Sequence, residues 1–294
     1  PLMHILTSGP ATSDSLYEVR AADAVLILGE DVTNTSPLLA LSLRQSVHRK
    51  PLEAAKKLGI PEWHDAAVRT ALQDMKGPLF IASPVQTKLD DRAIRTYHAA
   101  PDDIARLGFA VASELSNTAP PVPDLTDDIH ALVKEIAGSL REAERPLIVS
   151  GTGCGSKAVI QAAASVAWAL CEHGHRAGLC FSVPECNSIG LSLLDGKKMS
   201  EAFRAVQEGS VETVIILEND LYRRADSHTV DTFFEHVKHC IVLEHMPHAT
   251  LSKADVVLPA AVFAEADGTL VNNEGRMQRF FRVFVPEHET QESW

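Results

Sequence analysis

Short apolar runs alternate with amphipathic segments along most of the chain. The runs that predict strands are Asp23–Leu28, Gly77–Ala82, Pro146–Ser150, Thr213–Leu217, Cys240–Leu243 and Ala254–Leu258. They are nearly continuous in apolar residues, which is typical of parallel strands buried on both faces. Between the runs, apolar residues recur at helical spacing, most clearly within 129–140 and 159–170.

Polar caps mark where the predicted helices begin. Thr126 and Ser156 precede the two amphipathic segments, and Ser36 precedes Pro37 at the start of another helix. Further helices are predicted over 51–75, 200–208 and 228–238. Strands that alternate with helices in this way form a parallel sheet with helices on both faces. The predicted fold class is therefore α/β.

A proline-rich segment gives the strongest sign of a domain boundary. The segment 117–128 contains three prolines within four positions, and prolines lack amide donors and keep their neighbours extended. We therefore predict a first, partial α/β lobe over residues 1–125 and a second α/β lobe over 126–294. Because the chain starts at Pro1 rather than at a methionine, we expect a central piece of a longer protein.

Charge and cysteine content exclude several classes of partner and site. The 294 residues carry 27 Lys and Arg against 39 Asp and Glu, a net charge of −12, so we expect no nucleic-acid partner and no binding to anionic lipid. No apolar stretch reaches the roughly 20 residues that a membrane-spanning helix needs, so no direct membrane insertion is expected. The five cysteines are widely spaced, which argues against a disulfide framework or a cysteine-ligated cluster.

A glycine-rich turn follows the predicted strand at 146–150. Gly151, Gly153 and Gly155 stand between this strand and the next helix, and backbone amides in such a turn can cradle a phosphate. Gly29 ends the first buried strand in a similar way. The glycine spacing differs from the dinucleotide and P-loop patterns, so an ordinary tight strand-to-helix turn is the other interpretation.

Acidic residues end two of the predicted strands. Glu30 and Asp31 follow the first strand, and the sequence Glu218, Asn219, Asp220 follows the fourth. Ligands of open parallel sheets bind at the carboxyl ends of strands. Each carboxylate would, however, repel a pyrophosphate by roughly 1–4 kcal/mol per close pair. A divalent cation between the carboxylates and solvated acidic loops are the two remaining interpretations.

Histidines cluster late in the chain, at His236, His239, His245 and His248. Pairs three residues apart can share a metal on a helix, but Pro247 interrupts the second pair and no His-Glu-x-x-His motif occurs. Surface or capping roles are the alternative. The sequence contains no Gly-x-Ser-x-Gly elbow and no recognisable order of Ser, His and Asp. We therefore predict neither catalytic residues nor a metal site within this chain.

The stretch 249–278 carries the most specific pattern in the sequence. It reads Ala254-Asp-Val-Val-Leu-Pro259, then Glu265, Gly268-Thr269, Asn272 and Glu274-Gly-Arg276-Met-Gln278. This pattern resembles the signature of the molybdopterin oxidoreductase family. The strand and turn over 22–29 and the glycine-rich turn resemble further parts of the same template. The resemblance implies Rossmann-like lobes built on parallel sheets.

Departures from the family pattern change the expected function. Active members usually have a small residue before asparagine at two turns that bind a pterin dinucleotide, whereas this chain has Glu30-Asp31 and Glu218-Asn219 there. This combination is similar to the family's non-molybdenum branch, the large G subunits of bacterial NADH–quinone oxidoreductase, respiratory complex I. The resemblance implies a non-redox scaffold on the cytoplasmic side of the inner membrane, packed against other subunits of the peripheral arm.

The same resemblance implies where cofactors lie. It implies no cofactor in this segment, and [4Fe-4S] and [2Fe-2S] iron–sulfur clusters in an amino-terminal part of the longer polypeptide. The phosphate-turn positions that have lost this role are Gly29, Gly151, Gly153, Gly155 and Asn219.

Two other functions remain open at the level of sequence. A fragment of a catalytic molybdopterin-dinucleotide enzyme, of the formate or nitrate reductase type, would hold molybdenum and pterin at the same turns. A generic nucleotide-binding α/β module would bind its nucleotide through the glycine-rich turn.

Overall fold

The computed structural model describes residues 2–73, 75–286 and 290–294. The chain divides into two compact units. The first comprises residues 1–189 and 271–276, and the second comprises residues 190–270 and 277–294. Each unit contains a parallel sheet of its own.

The first unit is a doubly wound α/β sheet, which confirms the predicted fold class. Its parallel strands are β1 (Ala24–Leu28), β2 (Leu79–Ser83), β3 (Arg95–His98), β4 (Pro146–Gly151) and β5 (Gly178–Ser182). They lie in the order β3-β2-β1-β4-β5. The helices are α1 (Leu2–Ser8), α2 (Leu16–Arg20), α3 (Val32–Thr35), α4 (Pro37–Lys57), α5 (Asp65–Leu72), α6 (Pro101–Leu115), α7 (Asp127–Glu142), α8 (Lys157–Glu172) and α9 (Ser188–Ser192), which continues into the second unit.

Both faces of this sheet are buried, because alternate side chains of each strand enter different cores. Leu26 and Leu28 of β1 pack with residues of α6, α7 and α8. Val25 and Ile27 point the other way and pack with residues of α4. Burial on both sides explains why these strands read as continuous apolar runs rather than as alternating patterns.

The strand order creates a topological switch point beside β1. From β1 the chain proceeds to β2 and β3 on one side, and it then crosses to β4 and β5 on the other side. The loops that leave β1 and β4 therefore diverge above the carboxyl ends of these two strands. In open α/β sheets, the crevice at this position is where ligands bind.

The second unit contains a smaller parallel sheet. Its strands are β6 (Thr213–Leu217), β7 (His239–Glu244) and β8 (Val256–Pro259), in the order β6-β7-β8. Helices α10 (Met199–Gln207) and α11 (Ser227–His236) contribute the core, where the rings of Phe203 and Phe233 stack 4.4 Å apart. Two further strands, β9 (Gly268–Val271) and β10 (Met277–Phe280), pair with each other.

The helix predicted over 51–75 is wrong in its bounds. Residues 51–57 are the end of α4, and α5 is a separate helix. Helix α4 passes through Pro51, which has no amide to donate. The Val47 carbonyl, four residues earlier, instead accepts a hydrogen bond from the Gly77 amide (3.0 Å). A donor from outside the helix thus replaces the missing bond, and the helix continues.

The compact units do not divide at the boundary predicted between residues 125 and 126. The proline-rich segment 117–128 connects α6 to α7, and both helices contribute to the same core. Strands from the two sides of this segment, β1 and β4, pair directly. Nη2 of Arg106 donates to the Pro123 carbonyl (2.7 Å) and holds the segment against α6. The prolines therefore mark a surface connection that lacks regular backbone hydrogen bonds, within one unit.

In each of the two parallel sheets, an aspartate just before one strand accepts hydrogen bonds from backbone amides at the start of the neighbouring strand. Asp23 accepts hydrogen bonds from the amides of Glu144 and Arg145 (2.8 Å each), immediately before β4. Asp255 accepts a hydrogen bond from the Cys240 amide (2.7 Å) in β7. The aspartates of the two Ala-Asp pairs that precede apolar runs therefore satisfy backbone donors at the amino ends of neighbouring strands.

We expect Asp23→Ala to lower the free energy of unfolding by about 2 kcal/mol, because it leaves two backbone amides without their charged acceptor. Asp102→Asn, at an exposed site in the first turn of α6, is the matched control. It should change the free energy of unfolding by less than about 0.5 kcal/mol. Urea unfolding followed by tryptophan fluorescence measures both variants. Equal losses in the two variants would contradict the role assigned to Asp23.

Candidate functional site

The turn after β1 has a geometry that only glycine fits. Gly29 has a φ of +71°, and its amide donates to the Ala82 carbonyl (2.7 Å). A Cβ at this position would lie 2.7 Å from Cγ1 of Val159 and 2.9 Å from Sγ of Cys154. This close approach brings the next residue, Glu30, against the glycine-rich turn that follows β4.

The Glu30 carboxylate occupies the switch point. The residue is only 2% exposed. Its Oε2 accepts a hydrogen bond from the Gly153 amide (2.9 Å), and its Oε1 accepts one from Oγ1 of Thr35 (2.9 Å). Hydrogen bonds to an ionised carboxylate are among the stronger ones in proteins. The carboxylate thus takes the position at which a backbone amide of such a turn would receive a phosphate oxygen.

A chain of hydroxyl groups supports this carboxylate. Oγ1 of Thr35, which donates to Glu30, accepts a hydrogen bond from Oγ of Ser182 (3.0 Å). Oγ of Ser182 also lies 2.7 Å from Oγ of Ser36. The Ser182 carbonyl accepts a hydrogen bond from the Thr152 amide (3.2 Å). The network joins the turns that follow β1, β4 and β5, and it holds the Glu30 side chain in one orientation.

Two glycines of the turn are required by Glu30 itself. A Cβ on Gly151 would overlap Oε2 of Glu30 and would lie 2.5 Å from the Ser182 carbonyl oxygen. A Cβ on Gly153 would lie 2.7 Å from Oε1 of Glu30. Gly155 differs, because it has a φ of +65° and open space around it. The predicted candidates Gly151 and Gly153 therefore pack against a carboxylate of the protein.

The Glu30 carboxylate opposes the binding of a pterin dinucleotide at this turn. Its phosphate would have to displace a buried carboxylate from its donors, or approach it at a distance where two like charges repel by about 4 kcal/mol near a protein surface. The neighbouring Asp31 serves as the N-cap of α3, where it accepts hydrogen bonds from the Thr33 amide (3.1 Å) and from Nδ2 of Asn34 (2.7 Å). Both acidic residues of this turn are thus used by the local fold, and Glu30 is not a solvated loop residue.

The acidic turn after β6 belongs to the second unit, whereas the four glycine candidates belong to the first. Glu218 has a φ of +45°, a left-handed conformation that glycine adopts without strain. Its carboxylate accepts a hydrogen bond from the Ser293 hydroxyl. Asn219, the candidate in this turn, accepts a hydrogen bond from Nε of Arg224 through Oδ1 (3.0 Å). The amide side chain is therefore engaged within the turn.

A buried carboxylate that was not among the predicted candidates ends β7. Glu244 is 7% exposed, and its Oε2 lies 2.8 Å from Nε2 of His248. Its Oε1 accepts a hydrogen bond from the His245 amide (2.8 Å). Nδ1 of His248 lies 3.6 Å from Oδ1 of Asp220, which accepts a hydrogen bond from Oγ1 of Thr250 (2.8 Å). One imidazole thus lies between the acidic ends of β6 and β7.

The surroundings of these two carboxyl groups lower the pKa of both. Burial raises the pKa of Glu244, but hydrogen bonds from His248 and the His245 amide outweigh burial and leave the pKa below its ordinary value of 4.5. Burial also raises the pKa of Asp220, and the Thr250 hydroxyl, a backbone amide and His248 bring it below 3.8. Folding therefore favours the ionised form of both groups.

We expect stability to decrease as the pH falls below 4.5, the ordinary pKa of Glu244. A carboxyl group whose pKa is lowered by folding stabilises the fold above its unfolded pKa, and this stabilisation is lost as the pH falls through the folded pKa. His248→Gln removes the hydrogen-bonded partner and should weaken the dependence of the melting temperature on pH in this window. His236→Gln, exposed on α11, is the control. The same pH dependence in both variants would exclude the cluster as its source.

The last part of the most specific sequence pattern, residues 272–276, forms a local turn between β9 and β10. Oδ1 of Asn272 accepts hydrogen bonds from the amides of Glu274 (3.2 Å) and Arg276 (2.8 Å). Nε of Arg276 pairs with Oε1 of Glu274 (2.7 Å). The Val271 amide donates to Oδ1 of Asn187 (2.9 Å) within the first unit. Hydrogen bonds within the turn therefore account for Asn272, Glu274 and Arg276.

Potential metal ligands are scattered over the part of the chain that the structure describes. Within residues 2–73, 75–286 and 290–294, no three His, Cys, Asp or Glu side chains are grouped so that they could hold a metal ion. The five cysteines are free thiols, and burial raises the pKa of Cys180 to about 12. Over the same described ranges, no helix combines the length and the apolar character that crossing a bilayer requires.

A cavity of about 460 Å³ lies at the opposite edge of the first sheet, near the amino ends of its strands. Its volume is in the range of small-molecule sites, but its lining carries charges of both signs. Arg49 donates a hydrogen bond to the Ala21 carbonyl (2.8 Å) and forms an ion pair with Glu53 (2.9 Å). Asp23 accepts hydrogen bonds from two backbone amides. Because several of these charges bind one another or the backbone, we assign no ligand to this cavity.

Comparison with known sequences identifies a family and a group of relatives. The family model described as molybdopterin oxidoreductase matches residues 123–294. The G subunit of NADH-quinone oxidoreductase from Pseudomonas fluorescens is 46% identical over 287 residues, which are 98% of this chain and 32% of that protein. The G subunit from Pseudomonas putida is 44% identical, and that from Escherichia coli K12 is 41% identical, each over 97% of this chain. The chain therefore spans about a third of the length of these relatives.

The fold also has a similar solved structure. A chain of the formyltransferase/hydrolase complex from Methylorubrum extorquens, crystallised with methylofuran, superposes with a TM-score of 0.62 at 15% identity. The similarity covers 99% of this chain and 77% of that chain. At this level of identity it concerns the fold alone.

Proposed function

Because the chain belongs to the molybdopterin oxidoreductase family, we propose that it forms a segment of the G subunit of a bacterial NADH–quinone oxidoreductase and acts there as a scaffold without a redox group. The observation that carries this proposal is the position of Glu30. Gly153 and Thr35 bind its carboxylate at the switch point, so the anion-binding turn is used internally. The similarity to G subunits over nearly the entire chain supports the same assignment.

In this proposal, electron transfer takes place outside these residues. The oxidation of NADH and the reduction of quinone belong to other parts of the complex, and the [4Fe-4S] and [2Fe-2S] clusters lie in a more amino-terminal part of the longer polypeptide. The segment packs against other subunits of the peripheral arm, on the cytoplasmic side of the inner membrane. Its net charge of −12 suits a segment that binds neither anionic lipid nor nucleic acid.

A catalytic molybdopterin-dinucleotide segment of the formate or nitrate reductase type is less well supported. Such a segment needs room for phosphate at the turns that follow β1 and β6. Glu30 fills the first turn, and Arg224 engages Asn219 in the second. The same carboxylate at the glycine-rich turn argues against a generic nucleotide-binding module.

A chimeric protein tests the assignment. This chain replaces the matching 287 residues of the P. fluorescens G subunit, and the complex is purified and assayed for NADH–quinone oxidoreductase activity and for molybdenum. We expect an assembled, active complex that contains no molybdenum. The control exchanges the corresponding segment of P. putida in the same way. The proposal would be contradicted if the control complex assembled and the complex with this chain did not. Stoichiometric molybdenum in the chimera would also contradict it.

The same chimera distinguishes a scaffold from a catalytic segment. Glu30→Gln should reduce the amount of assembled complex and leave the rate of NADH oxidation per assembled complex unchanged, because this side chain supports the fold and contacts no reactant. Quantitative blotting and activity measurements on the same membranes separate the two effects. A lower rate per complex at an unchanged amount of complex would place this residue in the reaction.

A further inference from the structure

The sequence contains two Asp-Gly pairs, Asp195-Gly196 and Asp267-Gly268. In such a pair the glycine amide nitrogen can attack the carboxyl carbon of the preceding side chain, because glycine carries no side chain that would obstruct the approach. Both pairs lie in the second unit, so one preparation compares them under the same conditions. Their surroundings differ, and this difference determines which pair can react.

The first pair lies in an exposed connection between α9 and α10. Asp195 has a φ of +52°, a left-handed conformation that aspartate tolerates better than most residues. Residues 196–198 have no regular structure, and open space surrounds the position of a Cβ on Gly196. Within the part of the chain that the structure describes, no group forms a hydrogen bond with the Asp195 carboxylate or with the Gly196 amide. The two reacting groups can therefore rotate toward each other.

The second pair is held in place by its neighbours. Oδ1 of Asp267 accepts a hydrogen bond from the Arg282 amide (2.7 Å), and the Asp267 carbonyl accepts one from Nε1 of Trp294 (3.1 Å). Gly268 begins β9, where a Cβ would lie 2.5 Å from the ring of Phe280. The Asp267 carboxyl group can turn toward the next amide only after these contacts have opened.

We propose that Asp195 is a site of spontaneous isoaspartate formation. The Gly196 amide nitrogen forms a bond to Cγ of Asp195, and the hydroxyl group of the protonated carboxyl leaves with the amide proton as water. A second water molecule then opens the five-membered succinimide at either carbonyl, which gives aspartate or isoaspartate. The reaction needs no oxidant, no reductant and no enzyme. This chemistry does not depend on the proposed function.

Isomerisation moves one carbon of the Asp195 side chain into the backbone. The connection between α9 and α10 becomes longer by one bond, and the product carries its carboxylate closer to the main chain. Residues 191–198 are all exposed, and none of them belongs to a strand. The longer connection therefore disturbs neither the parallel sheets nor their cores, and we expect isoaspartate to accumulate in the folded chain.

Peptide mapping of the aged 294-residue chain tests this proposal. The chain is incubated folded and, in parallel, in urea, and chromatography with mass spectrometry measures isoaspartate at both pairs. A protease that cleaves before aspartate but not before isoaspartate identifies the product. In the folded chain we expect isoaspartate to form at least about tenfold faster at Asp195 than at Asp267, because the reaction at Asp267 requires local opening. In urea the two rates should become similar.

Gly196→Val is the matched variant. Its added side chain enters open space, and Gly196 lies outside the left-handed region, so the fold should accept the substitution. The branched side chain next to the attacking nitrogen obstructs closure of the succinimide. We therefore expect isoaspartate at Asp195 to fall to the level found at Asp267, both in the folded chain and relative to the parent chain in urea.

Three results would overturn the proposal. Equal rates at the two pairs in the folded chain would show that their different surroundings do not control the reaction. Isoaspartate at both pairs in urea, but at neither in the folded chain, would show that the connection between α9 and α10 is too rigid to react. An unchanged rate in Gly196→Val would show that the product does not form through the Gly196 amide.

Discussion

Gly151→Ala is expected to lower the free energy of unfolding of the first unit by about 3 kcal/mol, at the upper end of the range for overpacking. The added Cβ would overlap Oε2 of Glu30 and would lie 2.5 Å from the Ser182 carbonyl oxygen. Neither neighbour can easily withdraw. Glu30 is buried and bound by the Gly153 amide, and Ser182 belongs to the paired strand β5. Urea unfolding of the variant and the parent chain measures the loss.

Two further variants test whether the loss comes from the contact between the added Cβ and Glu30. Gly138→Ala lies in α7, where no atom outside the helix's own backbone is within 4 Å of the added Cβ, so it should stabilise the chain. The gain should be at most about 1 kcal/mol. In a Glu30→Ala background, Gly151→Ala should be less damaging by about 1–2 kcal/mol, because the carboxylate that it meets is gone. Additive effects of the two substitutions would contradict the contact between them.

Glu30→Ala is the second large effect, with an expected loss of about 3 kcal/mol in the free energy of unfolding. It leaves the Gly153 amide and the Thr35 hydroxyl without their charged acceptor in a buried site. Glu30→Gln keeps the shape and one acceptor oxygen, so it should lose only about 1–2 kcal/mol. Urea unfolding with tryptophan fluorescence measures both variants.

Glu62→Ala is the control for this pair, because Glu62 is exposed between α4 and α5. It should change the free energy of unfolding by less than about 0.5 kcal/mol. If Glu30→Ala were as stable as Glu62→Ala, the buried carboxylate would not be what holds the turns of the switch point together.

Strands that are buried on both faces could be predicted from the sequence. The apolar runs at 23–28 and 146–150 correspond to β1 and β4, which are buried along their whole length. The edge strand β3 reads Arg-Thr-Tyr-His and is largely exposed, so it has no apolar run to reveal it. Pairing with β2 determines its conformation. Such pairing depends on tertiary context, which local patterns do not contain.

The position of the site could be predicted from the sequence, but the group that occupies it could not. A glycine-rich turn after one strand and an acidic turn after another indicate the carboxyl edge of a sheet. Their contact depends on the pairing of β1 with β4, and the hydrogen bond from Gly153 to Glu30 joins residues that are 123 positions apart. Repulsion between Glu30 and a phosphate could be argued from sequence. The sequence alone could not show that the carboxylate itself occupies the turn, because that conclusion depends on the strand order.

Whether the switch point accepts a cofactor is tested most directly by a native mass spectrum of the chain, purified from cells that make molybdopterin, together with metal analysis for molybdenum and tungsten. We predict a single species at 31.9 kDa without added mass, and both metals far below one per chain. A stoichiometric pterin dinucleotide would contradict this prediction, because a phosphate at the turn would then have displaced Glu30 from the Gly153 amide.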